Sequence, residues 1–201
     1  YNMATKKLDK KDIDEMTDIR IQYQENNSKL HFVIDPIDGT INFVRGISTC
    51  SISVALYDGE VPLFGVIASY PKGNIAWGGK KVGAFIGNLE IKVSTINNSE
   101  NGILCTGFPS RFQFNYESIN KQMTLMKKFG KVRMLGSASQ SLLYVAQGSA
   151  DAYAENEIML WDVAAGLAIL EGAGGSFSLK PGSNKYALNV VASNGHINIG
   201  N

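Results

Sequence analysis

The run Asp35-Pro36-Ile37-Asp38-Gly39-Thr40-Ile41-Asn42-Phe43 constrains this chain more than any other stretch. It follows an apolar segment, Leu30 to Ile34, and stops it abruptly with Pro, Asp and Gly. That pattern predicts a buried strand that delivers two carboxylates into a tight loop. Two carboxylates held close together repel unless something cationic lies between them. Hard oxygen ligands suit Mg²⁺, which keeps several waters and shares a substrate phosphate. Pro-x-Asp-Gly is also ordinary turn chemistry, with Gly supplying a positive φ and Asp bonding its own backbone. Taken alone, the loop supports either reading.

The rest of the composition narrows the setting. A chain of 201 residues with 44% hydrophobic content can bury one substantial core, or two small layers sharing a cleft. A formal charge of +1 leaves no basic field for nucleic acid. Apolar runs fall well short of a membrane span, and the polar, lysine-rich stretch from Tyr1 to Lys11 does not read as a signal peptide. A soluble, cytoplasmic protein is expected. Cys50 and Cys105 sit among apolar or small neighbours without CxxC spacing, so free buried thiols are expected rather than a zinc or redox site. His31 and His196 have no clustered partners, and Trp77, Tyr57 and Phe85 read as core rather than nucleobase platforms. The glycine-rich run Gly172-Ala173-Gly174-Gly175 lacks phosphate-loop spacing.

Periodicity divides the chain near the polar break Asn97 to Asn101. Residues 1–96 are expected to form an antiparallel-sheet half carrying the acidic loop, and residues 97–201 an α/β half, with one site shared between them. In the first half, Leu8, Ile13, Met16 and Ile19 form an imperfect helical stripe. A helical turn is expected over Thr40 to Gly46, strands over Thr49 to Tyr57 and Val61 to Tyr70 around an Asp58-Gly59 turn, and a hairpin around Gly78 to Lys81. Lys80 and Lys81 read as a solvated tip, and Glu90 to Ser94 as a further strand. In the second half, strands are expected at Gly102 to Thr106, Lys131 to Leu135 and Ala150 to Ala154. Helices are expected at Tyr116 to Phe129, from the capping-box spacing Ser137-Ala138-Ser139-Gln140 to Gly148, and at Trp161 to Glu171. Nothing is assigned beyond Gly175.

A third carboxylate stands out in Trp161-Asp162-Val163-Ala164-Ala165-Gly166. Asp162 opens a helix, where unpaired N–H groups and the helix dipole favour negative charge. Capping is the ordinary role of such an Asp. The small residues after it allow another backbone to approach closely.

Together the nonapeptide from Asp35 to Phe43 and the segment Trp161 to Gly166, continued by Leu170-Glu171-Gly172-Ala173-Gly174-Gly175, resemble the two signatures of the inositol monophosphatase family of Mg²⁺-dependent, lithium-sensitive phosphatases. The resemblance runs from Leu30 to Asn194 and implies an α/β (α+β) fold, a layered αβαβα sandwich, with its N-terminal helical layer apparently incomplete here. It implies that Asp35, Asp38, Asp162 and the Ile37 carbonyl hold two or three Mg²⁺ ions. Asp38, Gly39 and Thr40 would meet the substrate, its phosphate lying on the Gly39 and Thr40 N–H groups. The Thr40 hydroxyl would orient the attacking water. Gly136-Ser137-Ala138 and Asp151 to Glu155 resemble the pocket-forming segment, so Ala138 and Glu155 would contact the hydroxyls of a polyol or sugar. Thr5-Lys6-Lys7-Leu8-Asp9 resembles a Thr-x-x-x-Asp element and would make Asp9 a helper of that water. Relatives of this kind are commonly homodimers.

One departure from the family pattern stands out. The family places a Glu-Glu element before its first metal carboxylate, and no such pair precedes Asp35; Glu25 lies closer to Asp35 than the family's glutamate does. Glu25 substituting, a metal-poor site, or a missing N-terminal helix and loop would each account for this. The expected activity is hydrolysis of inositol monophosphate or a similar polyol or sugar phosphate. Alternatives are fructose-1,6-bisphosphate or 3′-phosphoadenosine 5′-phosphate as substrate, or a non-catalytic phosphate- or polyol-binding module.

Overall fold

The computed structural model describes residues 29–108 and 115–199. Expectations for the N-terminal helical stripe, Asp9 and Glu25 lie outside the described residues. The chain folds as a layered α/β sandwich. Its first layer is a six-stranded antiparallel sheet in sequential order: β1 (Leu30–Asp38), β2 (Cys50–Asp58), β3 (Val61–Tyr70), β4 (Ile75–Gly79), β5 (Gly83–Ile86) and β6 (Leu89–Glu90). A short helix, α1 (Thr40–Val44), links β1 to β2. After a 3₁₀ turn at Ser99–Asn101, the second half contributes β7 (Ile103–Thr106), α2 (Tyr116–Met126), β8 (Lys131–Arg133), α3 (Ala138–Ala146), β9 (Ala152–Met159), α4 (Leu160–Gly172), β10 (Ser176–Pro181) and β11 (Ala187–Ser193). Its sheet is ordered β10-β11-β9-β7-β8, with β7 parallel to both β8 and β9.

Helix α4 is buried on every side from Val163 to Leu170, which explains why its sequence shows no polar face. It packs on β1 to β5 on one side, on β9 to β11 on the other, and along α3. One buried cluster accordingly joins Val33, Ala55 and Ile67 of the first sheet to Leu142, Val163 and Leu167 of the helices and Tyr153 and Val190 of the second sheet. Small residues permit this packing: a Cβ on Gly65 would lie 2.3 Å from the Ala165 carbonyl oxygen. Helix α2 covers the far face of the second sheet, where Leu125 and Met126 meet Leu104, Ala152 and Ala154. The outer face of the first sheet carries Leu30, Phe32, Ile52 and Ile75, each about half exposed.

Several boundaries differ from expectation. Glu90 to Ser94 does not continue as a strand, since only Leu89–Glu90 pair with β5 and the chain then leaves the sheet, the Val93 N–H bonding the Ala173 carbonyl. Strand β9 runs on to Met159, beyond the apolar stretch that announced it, because its second half pairs with β11. Strands β10 and β11 close the sheet after Gly175, where the sequence reading assigned nothing. Lys80 sits at an exposed hairpin tip as expected, and its ammonium also reaches Glu171 at 2.9 Å.

Candidate active site

Each strand that carries candidate site carboxylates is interrupted by a bulge. Along β1, Asp35 lies opposite Ser53 and Asp38 opposite Ser51, three steps against two. The extra residue shifts the alternation, so that Val33 and Asp35, then Asp38, all turn inward. Local bonds hold this bulge. The Ile37 N–H donates to Asp35 Oδ1 at 3.0 Å, and the Thr40 hydroxyl donates to the Ile37 carbonyl at 2.9 Å. Gly39 turns the chain at φ 76°, and a Cβ there would meet the Thr49 carbonyl oxygen at 2.9 Å, so both conformation and space call for glycine.

Asp38 faces the start of α3. Its Oδ2 accepts from the Ser137 hydroxyl at 2.5 Å, from the Ser139 N–H at 2.9 Å and from the Ser139 hydroxyl, and its Oδ1 lies 3.4 Å from the Ala138 N–H. Because Ser139 gives its proton to Asp38, the Ser51 hydroxyl donates to Ser139 across their 2.5 Å contact. Ser137 also caps α3 by accepting from the Gln140 N–H. The sequence reading used Ser139 only in a capping box, and Ser137 there and in the pocket-forming segment; neither was read as a partner of Asp38. Asn42, read only as part of the signature, is a buried clamp. Its Nδ2 donates to the Thr49 and Leu135 carbonyls at 2.7 Å each, tying the acidic loop to the segment that opens α3.

Asp162 arrives from the first turn of α4, and the Ser53 hydroxyl bonds the neighbouring Trp161 carbonyl at 3.4 Å. Carboxylate oxygens of Asp35, Asp38 and Asp162 lie within 4.8 Å of one another. Asp35 and Asp38 are almost fully buried. Burial, with the Asp35 charge adding, pushes the Asp38 carboxyl up to about 6, while the bonds from Ser137 and Ser139 pull the other way. Glu155 projects from β9 toward the same region and takes a hydrogen bond from the Tyr153 hydroxyl at 3.1 Å. Burial pushes its carboxyl up to about 7; the Tyr153 bond opposes that shift and the Asp38 charge adds to it. Tyr153 is fully buried, and its phenol is raised well above its ordinary value by burial and by the facing charges of Glu155, Asp162 and Asp38.

A hard divalent cation fits this donor set. Three carboxylates converge, burial and the Asp35 charge oppose ionisation of Asp38, and a cation bound between the three offsets both effects. The acidic loop and the start of α4 are therefore joined in space, as the sequence expected of Asp35, Asp38 and Asp162.

The profile of the inositol monophosphatase family matches residues 3–198. The chain is 34% identical over 155 residues to the fructose-1,6-bisphosphatase/inositol-1-monophosphatase of Aquifex aeolicus, covering 77% of this chain and 59% of that protein. It is 38% identical over 170 residues to the protein of the same description from Thermotoga maritima, covering 83% of this chain and 64% of that one. The inositol monophosphatase structure from Anabaena (Nostoc) superposes with a TM-score of 0.77 at 30% identity, covering 86% of this chain and 70% of that one. The chain thus spans about three-fifths of the length of the two curated relatives. A profile match along nearly its whole length, a shared fold and a gathered acidic triad identify the chain as a member of the inositol monophosphatase family.

Proposed function

We propose that this chain carries the active site of a Mg²⁺-dependent phosphate monoester hydrolase acting on inositol monophosphate or a similar polyol or sugar phosphate. The observation that carries the reading is the convergence of Asp35, Asp38 and Asp162 from two distant segments to within 4.8 Å. With the Ile37 carbonyl these residues would hold two or three Mg²⁺ ions. Bound there, Mg²⁺ supplies Lewis acidity, lowering the pKa of a coordinated water and offsetting phosphoryl charge.

The chain's own groups do the rest. Because the Thr40 hydroxyl spends its proton on the Ile37 carbonyl, it presents only lone pairs outward and accepts from a water, orienting that water's oxygen for attack. Asp9 would share this role. The N–H groups of Gly39 and Thr40 would receive the phosphate, Asp38 would meet the substrate oxygen, and Ala138 with Glu155 would define the polyol side of the pocket. A homodimer in the cytoplasm is the proposed setting; among the described residues no helix is long and apolar enough to cross a membrane. The descriptions of the Aquifex and Thermotoga relatives favour fructose-1,6-bisphosphate as a second substrate.

Phosphate release from inositol-1-phosphate, fructose-1,6-bisphosphate and 3′-phosphoadenosine 5′-phosphate tests the reading, with Mg²⁺ and then with added Li⁺. Mg²⁺-dependent, Li⁺-inhibited release from the first is expected. Divalent-cation binding without turnover of any substrate would replace the hydrolase with a binding module.

A further inference from the structure

The second bulge lies in β9. Glu155 pairs with Val190, and the next partners are Ile158 and Leu188, again three steps against two. Packing shows what the extra residue does. Before the bulge, Tyr153 faces the core shared with α3 and α4, while Ala152 and Ala154 face α2. After it, Ile158 lies in the shared core, so inward-facing positions change from odd to even numbers. An unbulged β9 would point Ile158 to the other face and rotate the start of α4, which follows at Leu160 and carries Asp162 in its first turn.

At the turning point is Glu157, which has φ 57° and, among the described residues, is alone outside glycine in having a positive φ. That conformation disfavours side chains and persists where surrounding contacts enforce it. The contacts are present. The Glu157 N–H donates to Asn189 Oδ1 at 3.2 Å. The Glu157 carboxylate accepts from the Ser183 N–H at 3.0 and 3.1 Å and from the Ser183 hydroxyl. Asn189 is itself fixed by donating to the Pro181 carbonyl at 3.0 Å. The β10–β11 turn thus grips the bulge through one side chain of β9 and one of β11.

We infer that Glu157 is a positioning residue: by holding the β9 bulge against Ser183 and Asn189, it sets the phase between Glu155, on the strand, and Asp162, on the helix, so that both reach the site containing Asp38. Glu157 touches no substrate and acts through these two carboxylates. This inference deepens the proposed hydrolase and rests on it for the role of Glu155. The placement of Asp162 can be read through metal binding alone.

The test compares Glu157→Ala, Glu157→Gly and Asn189→Ala with the unaltered chain, at a temperature where all are folded by circular dichroism. Mn²⁺ affinity is measured by calorimetric titration, and KM and kcat for inositol-1-phosphate by phosphate release. Glu157→Ala removes the grip and leaves a side chain at positive φ, so Mn²⁺ affinity should fall and KM rise by about tenfold, the lower range for partners that orient metal ligands. Glu157→Gly adopts the same φ without the grip and should return both values to within about twofold of the unaltered chain. Asn189→Ala should follow Glu157→Ala in direction, and serves should that variant not fold. Unchanged Mn²⁺ affinity and KM in Glu157→Ala and Asn189→Ala, with only the melting temperature lowered, would overturn the inference. A Glu157→Gly variant as impaired as Glu157→Ala would support the inference by showing that the carboxylate's contacts, beyond the backbone φ, hold the bulge. If the unaltered chain hydrolyses nothing, the hydrolase reading fails and the Mn²⁺ titration alone decides the role of Glu157.

Discussion

Two bulges of the same count, three steps against two, aim the carboxylates of this site, and they are secured in opposite ways. The β1 bulge is closed by its own neighbours: Asp35 bonds Ile37, Thr40 bonds Ile37, and Gly39 makes the turn. The β9 bulge is closed from a distance, by Ser183 and Asn189, around a non-glycine residue at positive φ. A device held by contacts two or three residues apart writes itself into a short motif. One held across 26 to 32 residues leaves no local trace.

The strongest way to break the comparison is to remove charge at the first bulge and leave its shape. Asp38→Asn keeps an oxygen that can accept from Ser137 and Ser139, so the fold should persist. The amide no longer attracts a cation, and kcat/KM should fall by more than about 100-fold, beyond the range for residues that merely orient a metal ligand. Thermal unfolding in EDTA should be unchanged or shifted upward, because the repulsion from Asp35 is gone. Activity near that of the unaltered chain would remove Asp38 from the ligand set.

A second variant attacks the shape instead. Gly39→Ala forces a Cβ to 2.9 Å from the Thr49 carbonyl oxygen at φ 76°. A loss of about 1–3 kcal/mol in urea unfolding is expected, from strain at a left-handed position plus the clash. Set beside Glu157→Gly, which relieves strain, this variant sharpens the contrast: a glycine is removed at one bulge and introduced at the other. A neutral Gly39→Ala would mean that the β1 bulge does not depend on its glycine.

These details show what the sequence makes legible. The acidic loop, the Asp58-Gly59 hairpin and the Asp162 helix were readable because each rests on local chemistry: a turn residue, an alternation or a helix start. Asp35, Asp38 and Asp162 were readable as a set through a family resemblance, since the spacing of 124 residues between Asp38 and Asp162 says nothing about distance. Ser139 and Asn42 were not identified as parts of the site. A buried serine that donates to a carboxylate 101 positions away looks in sequence like any serine in a first helical turn. Glu157 was invisible because nothing about a glutamate announces positive φ, and β10 and β11 were missed because short alternations between turn residues gain meaning only from their partner strands.

A weaker effect follows from the buried carboxyls at both bulges. The folded chain holds the Glu155 proton up to about 7 and the Asp38 proton up to about 6, whereas unfolded carboxyls release theirs near 4 to 4.5. Between those limits the metal-free native state binds more protons than the unfolded state, so stability is greatest at acid pH and declines as pH rises through 6 and 7. Urea midpoints measured in EDTA from pH 4.5 to 8 should fall along this range. Glu155→Gln should flatten the slope above about pH 6 and leave a shallower slope below it, from Asp38. A midpoint that rises with pH would contradict the environment of both groups.

The smallest expected effect lies at the other end of β2, away from Ser51 and Ser53, where Tyr57 is 2% exposed and its hydroxyl has no hydrogen-bond partner among the described residues. A buried hydroxyl left unpaired costs about 1–3 kcal/mol relative to one that is satisfied. Tyr57→Phe keeps the ring, including its packing at 5.9 Å from His31, and deletes only that oxygen. Urea unfolding should show no loss of stability and a gain of up to about 1 kcal/mol, with Mn²⁺ affinity and kcat/KM unchanged. The matching deletion at Tyr153 removes a bond to Glu155 and should raise KM, so the two phenols separate a hydroxyl that serves the site from one that serves only the core. If Tyr57→Phe instead destabilises by more than about 1 kcal/mol, the size of a satisfied hydrogen bond, the hydroxyl is not an unpaired group.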